Sequence, residues 1–195
     1  MNSPVLEKPT RQNSVLLYNL TWDALERLDV ELEGTGARLI YLDGFLEITA
    51  PFFEEHEEPK CTVSRLIEAF MRERGIRFYI RGSTTLGKRK DGARREPDES
   101  YSLGTKKPIP DLVLEITVTS GGISKLEIYK RLKVPEVWFW EDGTISAYCL
   151  QENGYERVAQ SSLLPDLDLV VLAQYSRMAD QYDAVNEFTQ VIRGM

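Results

Sequence analysis

Apolar positions along this chain recur in two rhythms, one of period two and one of three to four, and together they outline its elements. Residues 38–51, RLIYLDGFLEITAP, read as two β-rich runs around Asp43-Gly44, a hairpin that Pro51 ends. Ahead of it SVLLYNL predicts a short strand, and Thr21 an N-cap for the amphipathic helix WDALERLDVELE. Over residues 54–75, Val63, Leu66, Ile67 and Phe70 form one apolar stripe of a helix that Gly75 stops, with Pro59 in the first turn or at a kink. IRFYIRGSTTLGKRK and PDESYSL predict two strands around a basic loop, and PDLVLEITV is the clearest strand of the chain. A helix over 123–133, a strand EVWFWE, an Asp142-Gly143 turn, a strand TISAYCL and an edge strand YERVAQ follow, with mostly helical residues at 167–193. Residues 1–14 predict a mobile tail and residues 15–195 a single domain, without repeats or a low-complexity linker. Interleaved strands, helices and tight hairpins give the class α/β (α+β), a mixed β-sheet flanked by helices.

Chemistry enters through the clearest strand. Side chains alternate in a strand, so Asp111, Val113, Glu115 and Thr117 share one face and Leu112, Leu114, Ile116 and Val118 the other. Glu115 is either a solvent-facing glutamate or, if buried, a carboxylate that needs a cation, a metal or a proton. In the helix after Gly121-Gly122, Ile123, Leu126, Tyr129 and Leu132 fall in one arc with Lys125 inside it, and Lys130 at its edge. Lys125 is either a partner for the inward acid or a snorkelling side chain. Asp98, seventeen residues before Glu115, starts the preceding strand and can meet it across a sheet. Asp111 is the rival, but it lies about 13 Å away along the strand, too far for one ion to bridge.

Composition narrows the classes. The 195 residues are 42% hydrophobic and 28% charged, enough for one core. No run approaches the roughly 18 apolar residues of a membrane span, and the polar start is no signal peptide. Cys61 and Cys149 are the only cysteines, so a reducing cytoplasm is the default compartment. His56 is the only histidine, too few for an ordinary zinc site. The net charge of -7 argues against wide phosphate neutralisation, so contact with nucleic acid must be local or metal-mediated. KRKDGARR gathers Lys88, Arg89, Lys90, Arg94 and Arg95 and reads as either a solvated hairpin tip or a phosphate contact. The hydroxyls of RGSTTL are further phosphate donors or simple turn formers.

An acid after proline at one strand start, an acid inside the next strand and a nearby lysine resemble the PD-(D/E)xK nuclease superfamily. RLIYLDGFLEITAP, GSTTL, EPDESY, PDLVLEITVTSGGISKLEIYKRLKVPEVWFW and LLPDLDL together resemble the Uma-type family of restriction-endonuclease-like proteins, over residues 15–180. The resemblance implies a restriction-endonuclease-like fold, Mg²⁺ or Mn²⁺ as cofactor, and phosphodiester hydrolysis in nucleic acid, with DNA as the expected substrate. It matches Asp98 and Glu115 to the metal-binding acids and Lys125 to the catalytic lysine, displaced to the helix because Thr117 stands where the superfamily has lysine. The segment EEHEEPK resembles the helix that often adds a group to the site, leaving His56, Glu57 and Glu58 as accessory candidates. The alternative is an inactive nucleic-acid-binding or interaction domain on the same fold. A homodimer through Trp138, Phe139 and Trp140 is a further alternative to their role as core.

Overall fold

The structure, a computed structural model, describes residues 14–49, 54–116 and 124–194. The expected tail, apart from Ser14, together with Pro51, Thr117 and the Gly121-Gly122 turn, lies outside them. The described chain runs β1 (Ser14–Leu17), α1 (Trp22–Glu31), β2 (Arg38–Leu42), β3 (Phe45–Thr49), α2 (Glu54–Glu73), β4 (Phe78–Ile80), β5 (Ala93–Arg94) and β6 (Glu99–Leu103). It continues as β7 (Leu112–Ile116), α3 (Lys125–Leu132), β8 (Glu136–Glu141), β9 (Thr144–Gln151), β10 (Gly154–Val158), α4 (Leu169–Tyr175) and α5 (Gln181–Gly194).

The mixed α+β class is as the sequence predicts, but the strands form two sheets rather than one. The larger has the order β10-β9-β8-β7-β6-β4 and the smaller β1-β3-β2-β5. Among the described strands only β7 and β8 pair in parallel, with α3 in the crossover between them. The hairpin needs its own layer because both faces of β2 are covered. Leu39 and Tyr41 pack with Leu25 of α1, whereas Ile40 packs on the other side with Val113 and Val137 of the larger sheet.

Two further expectations are corrected. IRFYIRGSTTLGKRK is not one strand: Phe78–Ile80 forms a strand, Leu86 makes an isolated bridge to Arg95, and Gly82 and Gly87 at positive φ and a 3-10 turn at Arg89–Asp91 break the rest. The helix expected over 123–133 is described from Lys125 to Leu132. The Ser124 hydroxyl caps it by accepting the Glu127 N–H at 3.3 Å, and Lys133 at φ 58° stops it.

Strand β7 sits in the middle of this arrangement with all five residues buried. Leu112, Leu114 and Ile116 face Val63, Leu66, Ile67 and Phe70, the predicted stripe of α2, in a core shared with α4 and α5. Pro59 falls in the second turn of α2, not the first. Trp138 is fully buried, and both edges of β8 are taken by β7 and β9, so β8 offers no edge to a second copy. Among the described residues no helix is long and apolar enough to cross a membrane.

Candidate active site

The antiparallel register of β6 and β7 pairs Glu99 with Leu114, and one step further sets Asp98 opposite Glu115. Residues opposite one another in such a pair share a face, so the fold itself brings the two acids together. Both are buried, Asp98 at 2% exposure and Glu115 at 0%. The solvent-facing alternative for Glu115 is therefore excluded.

Each carboxylate is fully engaged. Asp98 Oδ1 accepts from Arg38 Nη1 at 2.6 Å, and Oδ2 lies 3.1 Å from His56 Nε2 and accepts the Ile116 backbone N–H at 2.8 Å. Glu115 Oε1 accepts from Arg95 Nε at 2.6 Å and from the Tyr129 hydroxyl, while Oε2 accepts from Arg95 Nη2. Lys125 Nζ stands 3.0 Å from Glu115 Oε2 and 6.0 Å from the centre of the Phe139 ring. Lys125 opens α3 and Tyr129 lies one turn later, so the same helix face delivers both to the acid. Arg95 is aimed by its bridge to Leu86, which folds the 86–95 loop back on itself.

Charge explains why this cluster survives burial. Burial alone pushes the Glu115 carboxyl up, but Arg95 and then Lys125 outweigh it and hold the group below its ordinary value. For Asp98, burial is likewise outweighed, here by His56 first and then by Arg95 and Lys125, and its carboxyl stays well below the usual range. Burial, followed by the Glu115 charge, pushes the Tyr129 hydroxyl well above an ordinary phenol, so it remains a donor. Three basic side chains, Arg38, Arg95 and Lys125, thus face two carboxylates. One guanidinium nitrogen of the buried Arg95, Nη1, has no hydrogen-bond partner among the described residues.

The structure brings Asp98, Glu115 and Lys125 to one place and adds His56, which is 4% exposed rather than a surface cap. Glu57 stays at the rim: its half-exposed carboxylate pairs with Lys60 at 2.6 Å and lies 3.5 Å from His56 Nδ1. Asp111 serves a turn instead, accepting from the Leu103 backbone and from Lys107. Lys130 donates to the Asn153 carbonyl. The basic run is not a solvated tip throughout. Arg94 pairs with Asp29 and Arg95 enters the cluster, both buried, while Arg89 pairs with Asp23 and Glu26. Thr84 and Thr85 of RGSTTL donate to the Arg81 carbonyl and to Glu96.

Sequence reading missed Arg38, Arg95 and Tyr129 as partners of the acids. The one available signal was the demand of a mid-strand carboxylate for a cation. A hard divalent cation accepts one or two carboxylates and completes its shell with water or phosphate oxygens. The paired carboxylates of Asp98 and Glu115 fit Mg²⁺ or Mn²⁺ in kind, although their lone pairs are shared with Arg38, Arg95 and Lys125. Among the described residues no group of three or more His, Cys, Asp and Glu side chains forms a fuller cage.

The chain has no match among curated proteins. Residues 22–177 match the family Uma2, described as "Putative restriction endonuclease", and the chain belongs to that family.

Proposed function

We propose that the protein is an endonuclease dependent on Mg²⁺ or Mn²⁺ that hydrolyses phosphodiester bonds in nucleic acid, with DNA as substrate. Membership of Uma2 suggests a nuclease and implies a nucleic-acid substrate. The observation that carries the finer reading is the meeting of Asp98, Glu115 and Lys125, drawn from three elements, at one point on the sheet. Asp98 and Glu115 are the groups that would hold the ion. When bound, a divalent cation supplies polarisation of the phosphate and a water of lowered pKa. Lys125 contributes an ammonium beside Glu115, placed to offset charge that develops on phosphate oxygens. Tyr129 and Arg95 fix the Glu115 carboxylate, and Arg38 and His56 fix that of Asp98.

The test is cleavage of supercoiled DNA in parallel with calorimetric Mn²⁺ binding. Glu115→Gln and Asp98→Asn should lose both. Lys125→Ala should slow cleavage by about 10²-fold or more while Mn²⁺ still binds. Cleavage by Glu115→Gln at the parent rate would overturn the assignment.

A second reading has its own support. The cations around both acids, together with Thr117 at the superfamily's lysine position, suit a binding domain that has lost cleavage. Nucleic-acid binding without nicking at any Mg²⁺ or Mn²⁺ concentration would select it.

A further inference from the structure

An acidic chain needs a local surface to hold a polyanion, and the cations of the buried cluster are already spent on its own carboxylates. Such a surface lies elsewhere. Between the end of α2 and the edge strand β4 runs an open groove of about 670 Å³, lined by Arg72, Arg77, Phe78, Tyr79, Ile80 and Lys106. No carboxylate lines it. Nearby acids are committed to other cations: Glu73 holds Arg193 at 2.7 Å, and Asp111 holds Lys107 at 2.7 Å. Glu68, half-buried, is the acid that feels the Arg72 charge.

Cations and flat rings are interleaved here. The Arg72 guanidinium lies 5.4 Å from the centre of the Phe78 ring, and Lys106 Nζ lies 5.8 Å from that of Tyr79. Arg72, Arg77 and Lys106 are exposed, Phe78 and Tyr79 are half-buried, and Ile80 is 50% exposed. β4 ends its sheet, so among the described residues no further strand covers this side. Phe78 lies on the sheet face packed by α2, and Tyr79 on the opposite face, which carries the two acids. Tyr79 pairs with Ser102, four residues along β6 from Asp98 and on the same face.

We propose that this groove binds the sugar-phosphate backbone of a nucleic-acid strand through Arg72, Arg77 and Lys106, with Phe78 and Tyr79 as flat contact faces. Basic grooves interleaved with aromatic side chains hold nucleic acid in a sequence-tolerant way. The inference takes its ligand class from the nucleic-acid reading above and is independent of catalysis.

Fluorescence anisotropy of a labelled 20-nucleotide DNA, single-stranded and as duplex, measured in EDTA, separates the two questions. R72A/R77A/K106A should bind at least tenfold more weakly than the parent. Its plot of log affinity against log salt should be shallower by about two to three, since each lost phosphate contact removes about 0.7–0.9 from the slope. R72K/R77K should keep the parent slope, and unchanged melting temperatures should show that all variants fold. Binding read in EDTA involves neither metal nor cleavage, so failure of the site and failure of the groove are distinguishable. An unchanged affinity and slope in the triple variant would overturn the proposal. So would absence of parent binding in EDTA. A dimer that becomes monomeric in the triple variant, with DNA binding unaltered, would also overturn it and assign the groove to self-association along β4.

Discussion

Arg95 and Glu115 show at the scale of single residues why the cluster is stable only as a set. A buried carboxylate that loses its bidentate partner keeps its desolvation cost without the compensating attraction. Arg95→Met should therefore destabilise the fold by about 3–5 kcal/mol in urea denaturation. Adding Glu115→Gln should recover part of that loss, because the stranded charge is gone. The pH dependence has a definite sign. The folded-state values of Asp98 and Glu115 are depressed, so their contribution is complete above the unfolded carboxylate range, about pH 4. It is lost only as pH falls through the lowered values. Denaturation midpoints should be insensitive to this pair between pH 5 and 8 and should drop below about pH 4. A steep loss already at pH 6 would mean that neither acid is held as described. At this scale Glu115 announced itself in the sequence, as a charge among aliphatic residues. Arg95 did not, because a basic run on a turn looks the same whether its last member points out to water or inward to an acid.

Elements carry these residues, and one glycine controls the element that carries Arg95. Gly87 has φ +99°, and a Cβ there would collide with the Ala93 carbonyl. The close approach belongs to the same 86–95 loop whose Leu86–Arg95 bridge aims the guanidinium. Gly87→Ala should lower stability by about 2–3 kcal/mol. Gly104→Ala, also at positive φ but with open space around it, should cost only the backbone penalty of about 1–2 kcal/mol. Thermal melts of the two variants make the comparison, and equal losses would show that the close approach is unimportant. Local signals predicted the elements well. Asp43-Gly44 and Asp142-Gly143 form turns with positive φ at both residues, Thr21 caps α1, and the α2 stripe is buried. What local signals do not contain is partnership between distant strands. The pairing of β2 with β5 joins residues more than fifty apart, and it decides that there are two sheets. His56 was obscured for a similar reason. Near a helix start, its burial depends on what the fold places in front of it.

The molecule as a whole is layered around shared interiors. Ile40 of the smaller sheet packs in one core with Val113 and Val137 of the larger, and α1 closes the far side through Leu25. We expect such interlocked layers to unfold in one cooperative step, as befits the single domain proposed from the sequence. The chain contains three tryptophans, which test this because they report different layers: Trp22 packs against the α1 core, and Trp138 and Trp140 belong to the α2 core. Urea transitions followed by fluorescence of the parent and a Trp22→Phe variant should coincide with far-UV circular dichroism. A separate early transition in the parent would show that the small sheet melts alone. The acidic composition argues against broad electrostatic binding, but composition averages over the surface. It could not show that Arg72, Arg77 and Lys106 line one groove while Glu73 and Asp111 pair with other cations.

The hairpin of β6 and β7 and the crossover through α3 to β8 keep Arg95, Asp98, Glu115, Lys125, Tyr129 and Phe139 within one uninterrupted stretch of fewer than fifty residues. Among the described residues, Arg38 and His56 are the hydrogen-bonding side chains that reach it from outside. The candidate site is thus inherited nearly whole with a single short cassette. Transplanted between related chains, that cassette would need just two foreign contacts restored to work in its new host.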